Sequence, residues 1–180
     1  MDAWTLLILA WSGLGVAGSV WMSIGLKLKA CPLCFYQRTF VMGVFAIYLM
    51  AWMASVSPSS ASAQLALPLA LAGFVVALFH ESLVLRRVLE CPRGFGGQGT
   101  APFQSVLMFT GLLVLILGHG FGLGLDQAAP LVLGTGLILG LVLGVLSIIS
   151  SPPLPPVPTQ PYAEPLTICR PPYVPARETV

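Results

Sequence analysis

Apolar positions run through this chain in five long blocks, roughly Trp4 to Leu26, Phe35 to Ala54, Leu65 to Leu85, Ser105 to Leu125 and Ala129 to Ile149. A helix needs about 20 mostly apolar residues to cross the hydrocarbon core of a bilayer, and each block supplies that length. The pattern predicts an all-α integral membrane protein, with one transmembrane helical bundle over residues 1–150 and an extramembrane tail over 151–180. The breaks on one side are short. Ser55 to Gln64 is small, polar and uncharged, and Asp126 to Ala128 is shorter still, with Pro130 at the helix-opening position where proline is tolerated. The first block is too long and unbroken for a signal peptide and has no basic side chain ahead of it, so it is expected to remain attached.

Counting crossings places the three segments of most interest on one side of the membrane. One block precedes Cys31, three precede Cys91 and five precede Cys169, so the parity is odd for all of them. The tail holds ten of the sixteen prolines, which forbids a helix and favours extended polyproline II. At about 3.1 Å per residue, the stretch from Ser150 to Cys169 is long enough to lay that cysteine over any helix end on its face. Glycines spaced by four, Gly118/Gly122, Gly120/Gly124, Gly136/Gly140 and Gly140/Gly144, are read as seams of close helix packing rather than as ligand sites.

With 57% hydrophobic and 8% charged side chains among 180 residues, the chain has no room for a separate soluble domain, where roughly a quarter of residues are charged. The net charge of +2 is small and scattered, which excludes the basic stripe of a nucleic-acid binder and turns attention to partners in or on the membrane. Trp4 and Trp52 are placed as interface anchors, and the four tryptophans are too dispersed to mark a site.

Chemistry concentrates in Cys31-Pro32-Leu33-Cys34, a C-x-x-C whose sulfurs can cycle between dithiol and disulfide with little backbone movement. Pro32 suits the first turn of a helix, so Cys34 falls where the helix dipole favours thiolate. Arg38 lies one turn deeper on the same face, inside the span, where a charge usually faces a functional pocket. There it can steady a thiolate and donate hydrogen bonds to a carbonyl oxygen of a bound ring. Phe35, Tyr36 and Phe40 are candidate walls for that ring, with Gln37 a spare donor.

Cys91 follows an Arg86/Arg87 pair on an expected short interfacial helical extension, where cationic neighbours lower a thiol pKa. Pairing with Cys169 is the natural inference, although four cysteines allow three pairings. His80 and His119 can relay protons, but a histidine near a span end is more often simply hydrogen-bonded to a neighbour or exposed. A zinc reading of the C-x-x-C needs Cys91 and Cys169 or His80 as further ligands, and lacks the second tight pair usual in structural zinc sites.

The stretch Cys-Pro-Leu-Cys-Phe-Tyr-Gln-Arg at 31–38, opening the second span, resembles the bacterial DsbB family of disulfide-bond-formation membrane proteins. The resemblance implies a four-helix bundle in which the Cys31/Cys34 pair delivers electrons to ubiquinone or menaquinone and Arg38 contacts the quinone. It also implies a DsbA-like thioredoxin-fold thiol oxidase as partner, in the periplasm of a bacterial inner membrane. Glu90 to Gln104 is similar to a loop of a DsbB-like subgroup, which assigns Cys91 to the partner-facing pair. The likeness covers roughly residues 4 to 125. A fifth span and a Pro-rich tail depart from the family pattern, whose second cysteine pair lies within one loop; here that loop holds only Cys91, and Cys169 has to substitute from the tail. Quinone-reducing oxidoreductases related to vitamin K epoxide reductase place their C-x-x-C late in the bundle and fit less well.

All eight basic residues fall on or near the cysteine side, which by charge counting makes that face cytoplasmic. Disulfide formation requires the reverse, because the cytosol keeps thiols reduced, and the chemistry is preferred. The alternatives are a non-enzymatic membrane protein that uses the cysteines as metal ligands, and a conduit of reversed orientation that carries electrons outward.

Overall fold

The computed structural model describes residues 3–53, 60–122 and 130–173. Among the described residues the fold has five α-helices: α1 (Ala3–Ile24), α2 (Pro32–Met53), α3 (Ser60–Leu85), α4 (Ala101–Gly122) and α5 (Pro130–Ile149). A single 3-10 turn, Phe95–Gly97, interrupts the loop before α4. The first four helices are each long and apolar enough to cross a membrane. The fifth is a shorter apolar helix over Leu133–Ile149, where its described side chains begin, with Thr135 and Ser147 as its polar members.

Helices α1 to α4 close a ring in which each packs on its two neighbours, and α5 lies against the outside of α3. Between them sits a core of Ile8, Val41, Val44, Tyr48, Ala66, Leu67, Ala70, Phe109, Leu112 and Ile116. The α3 contribution is a stripe of small residues, Ala63, Ala66, Ala70 and Ala77, at helical spacing. Small side chains let helix backbones approach closely where no hydrophobic force distinguishes protein from lipid. The outward faces carry Leu6, Leu7, Leu14, Val114, Ile138 and Leu146, all exposed, while Ser12, Gln37, His80 and His119 are buried. That arrangement inverts a soluble protein and suits a hydrocarbon surrounding.

The glycine seam of α5 is real. A Cβ on Gly140 would stand 2.8 Å from the Leu71 Cβ and 3.0 Å from the Pro68 carbonyl, and one on Gly144 would stand 2.8 Å from the Val75 Cβ. In α4, Gly111 lies under the Trp11 indole and Gly118 under Trp4. Gly124 of the expected seams, the Asp126 to Ala128 connector and the ends of the second and fourth blocks lie outside the described residues, as do residues 55–59 of the Ser55 to Gln64 connector.

Two expectations need correction. The connector before α3 is shorter than read, because Ser60–Gln64 is already helical; Ala61 and Ala63 are strong helix formers, and Ala63 is fully buried. Arg86 and Arg87 do not form a helical extension. The helix closes there in a Schellman motif, with Val88 N donating to Leu83 O at 2.9 Å, Arg87 N donating to Val84 O at 2.9 Å, and Arg87 at φ 57.

From Ser150 the tail runs extended back across the end of the bundle. Lys29 N donates to Thr167 O at 2.8 Å, and Glu90 and Arg170 exchange both backbone hydrogen bonds. The Arg170 guanidinium also pairs with the Glu90 carboxylate at 2.9 Å and covers the Tyr162 ring.

The seam yields a direct expectation. Gly140→Val forces α5 away from α3 and lowers stability by about 1–3 kcal/mol, measured by unfolding in mixed micelles. Gly134→Ala, with no atom within 4 Å of the added carbon, serves as the neutral comparison.

Candidate redox site

Cys31 stands immediately before α2 and caps it. Its sulfur accepts a hydrogen bond from Cys34 N at 3.3 Å, while its carbonyl accepts the first helical bond, from Phe35 N at 3.0 Å. A cap position receives the partial positive charge of the helix N-terminus. The Cys34 sulfur lies 3.0 Å away, and the two sulfurs share one hydrogen. The hydrogen bond with Cys34, aided by His80, outweighs burial and draws the Cys31 thiol down to about 4, which favours the thiolate at Cys31. The dipole-favoured thiolate expected at Cys34 falls instead at Cys31, whose sulfur caps the helix.

His80, fully buried on α3, stands between the two cysteine pairs. Its Nε2 is 3.8 Å from the Cys31 sulfur and 3.5 Å from the Cys91 sulfur, and the Gln37 amide sits 3.4 Å from its Nδ1. With Nδ1 accepting from the amide, Nε2 carries the hydrogen and presents it to both sulfurs. Cys91 itself is bonded to Cys169, across 78 residues of sequence and both α4 and α5. The odd-parity expectation is met in space: Cys31, Cys34, His80 and Cys169 present their sulfur and nitrogen atoms within 4.8 Å of one another.

Beside Cys34 opens a cavity of about 680 Å³. Its walls are Trp11, Gly15, Gly18, Trp21 and Met22 from α1, Cys34, Gln37, Arg38 and Val41 from α2, Met108 and Phe109 from α4, Phe95 from the loop, and Cys169. The Arg38 guanidinium is fixed from one side: Nε donates to Ser19 Oγ at 2.6 Å, and one terminal nitrogen donates to Ser19 O at 2.9 Å and Ser23 Oγ at 2.6 Å. The other terminal nitrogen has no partner among the described residues. Arg38 thus neither snorkels nor faces lipid. It is a preorganised donor on a largely apolar wall.

The cavity mouth is shaped by the loop before α4. Gln104 donates from Nε2 to Phe95 O and Gln98 O, both at 2.8 Å, and accepts from Phe95 N at 2.7 Å. Gly96, Gly97 and Gly99 take positive φ, which glycine alone adopts freely.

Phe35 does not belong to this wall. It is 62% exposed and points away from the cavity, since one residue after Cys34 turns the helix by about 100°. Phe40 packs into the core instead, and the Tyr36 hydroxyl meets Ser150 Oγ at 3.2 Å. Sequence reasoning also passed over Trp11 and Trp21, whose spacing with Gly15, Gly18 and Met22 marks one face of α1. It undervalued His80, for which the available signal was its position at the cysteine end of α3.

A C-x-x-C at a helix mouth, a second cysteine pair bonded within reach of it and an adjoining apolar cavity define a membrane protein of thiol–disulfide exchange. The family model for disulfide bond formation protein DsbB matches residues 2–112, and the chain belongs to the DsbB family. The matched stretch contains Cys31, Cys34, Arg38, His80 and Cys91, but neither α5 nor Cys169. No curated protein and no solved structure gives a significant match. Family membership makes the chain a multi-pass membrane protein of disulfide bond formation, in a family of disulfide oxidoreductases.

Peptides containing Cys91 and Cys169 are expected to be recovered joined from a non-reducing digest of alkylated protein, with Cys31 and Cys34 both carrying the alkyl label. Mass spectrometry checks this, and a Cys31–Cys91 link as the dominant species would contradict it.

Proposed function

We propose that the chain is a quinone-dependent thiol oxidase of the bacterial inner membrane, which reoxidises a DsbA-like thioredoxin-fold partner in the periplasm and passes the electrons to ubiquinone or menaquinone. One observation carries this reading. Cys34, Gln37 and Arg38 share a wall of a 680 Å³ cavity that opens at the same end of the bundle as the Cys91–Cys169 bond.

The residues present suit a quinone ring. Trp11, Trp21, Met108 and Phe109 offer flat or adaptable apolar surfaces, and the unpartnered arm of Arg38 is a charged donor for a carbonyl oxygen. A quinone bound there supplies a sink for two electrons and two protons, which the thiols themselves lack.

A partner thiolate attacks the Cys91–Cys169 bond; one sulfur joins the partner while the other leaves as a thiolate, and the partner's second thiol then completes its own disulfide. The two thiols so formed reduce the Cys31–Cys34 disulfide by the same two-step exchange. His80 Nε2–H, within reach of both Cys31 and Cys91, donates a hydrogen bond that stabilises a departing thiolate. At the cavity, Cys34 delivers the electron pair. The Cys31 thiolate then bonds the Cys34 sulfur and restores the inner disulfide.

The periplasmic orientation is supported by the bonded outer pair, since disulfides persist in oxidising compartments. It opposes the charge count, for Lys27, Lys29, Arg86, Arg87, Arg93 and Arg170 all belong to the cysteine end. Impermeant maleimide added to intact cells after mild reduction should label Cys91 and Cys169, and labelling only after lysis would reverse the topology.

Cys34→Ser should abolish quinone reduction by reduced partner while leaving a detectable mixed disulfide with that partner. Arg38→Met should retain thiol exchange but raise the KM for quinone about 10- to 100-fold, the loss of one charge-assisted hydrogen bond. Stopped-flow absorbance of the quinone reads both, and undiminished turnover in Cys34→Ser would overturn the reading.

A further inference from the structure

The polar end of the bundle holds one more chemical possibility, and it does not depend on the quinone. We propose that when both cysteine pairs are reduced, the chain binds one zinc ion through Cys31, Cys34, His80 and Cys169, and that this site exists only in the fully reduced protein.

The four ligand atoms already lie within 4.8 Å of one another. Among them, the Cys31 and Cys34 sulfurs are 3.0 Å apart, and the Cys31 sulfur is 3.8 Å from His80 Nε2. Tetrahedral zinc with sulfur at about 2.3 Å and nitrogen at about 2.0 Å sets its ligands roughly 3.5–3.8 Å apart. Closing the shell therefore asks each side chain to move by about 1 Å or less, within the reach of a rotamer adjustment. The donor set of three thiolates and one imidazole is among the commonest for closed zinc sites, and the C-x-x-C spacing is the usual half of one.

Supporting groups are in place around the ligands. Cys34 N already donates to the Cys31 sulfur at 3.3 Å, and Gln37 already holds the far nitrogen of His80. Metal binding at Nε2 moves the imidazole hydrogen to Nδ1, and a half-turn of the Gln37 amide presents its oxygen to receive it. Cys31 enters as a thiolate, and Cys34 and Cys169 give up their protons as zinc binds. The resulting charge of minus one is offset by Arg38, which lines the same cavity as Cys34 and Cys169.

Redox state controls the site through Cys169. While Cys169 is bonded to Cys91 it is no thiolate donor, and only three ligands remain. Zinc thus captures the chain when reductant outruns the electron acceptor. It ties up three of the four exchanging sulfurs until it is withdrawn or oxidation resumes.

The test compares two variants that break the same disulfide and share its structural consequences. In full-length protein in micelles under anaerobic phosphine reduction, cobalt is used as the spectroscopic probe and zinc as its competitor. Reduced wild type and Cys91→Ser are expected to bind one ion per chain with the visible absorption of tetrahedral cobalt thiolate. Cys169→Ser and His80→Gln are expected to bind at least about 100-fold more weakly, as is wild type with its outer disulfide intact. Equal affinity in Cys91→Ser and Cys169→Ser would overturn the proposal, and so would no metal uptake by the fully reduced chain.

Discussion

A bilayer cannot satisfy a polar side chain, so every such group within a span must find its partner inside the bundle. In this chain that requirement draws the polar groups of three helices together. Ser19 and Ser23 of α1 close around Arg38 of α2, while Gln37 of α2 closes on His80 of α3. The cavity is the space left between these contacts and the aromatic side chains of α1 and α4. Its chemistry follows from the same constraint, because a guanidinium held on one side by serines presents its remaining hydrogens to whatever enters.

Much of this was legible in the sequence, and for identifiable reasons. Five apolar blocks of span length announce the helices, and odd crossing counts bring Cys31, Cys91 and Cys169 to one end regardless of packing detail. Arg38 is conspicuous because a lone charge in an apolar block has few tolerable positions. What escaped the sequence depends on rotation about helix axes. Phe35 is next to Cys34 in the chain but not on its face, and the thiolate-favouring cap belongs to Cys31 because its sulfur folds back to accept from Cys34 N, a rotamer that the chain order does not show. His80 gains its importance from the loop that folds Cys91 back over it, a tertiary contact with no periodic signature.

The family match ends within α4, yet the outer disulfide needs a cysteine from beyond α5. The helix that carries the chain there is held by glycines against the Leu71 and Val75 positions of α3, and the tail is fastened by the Glu90–Arg170 bridge as well as by the sulfur bond. A departure from the family pattern in sequence thus restores, in space, two bonded cysteines beside a C-x-x-C.

That arrangement imposes an order on biogenesis. Because the bond from Cys91 skips over α4 and α5, the ribosome must finish both helices before the second sulfur is made. A nascent chain halted after α3 or α4 already displays Cys31, Cys34 and His80 but has no outer sulfur pair. The outer sulfur bond can therefore close only after α4 and α5 have been synthesised.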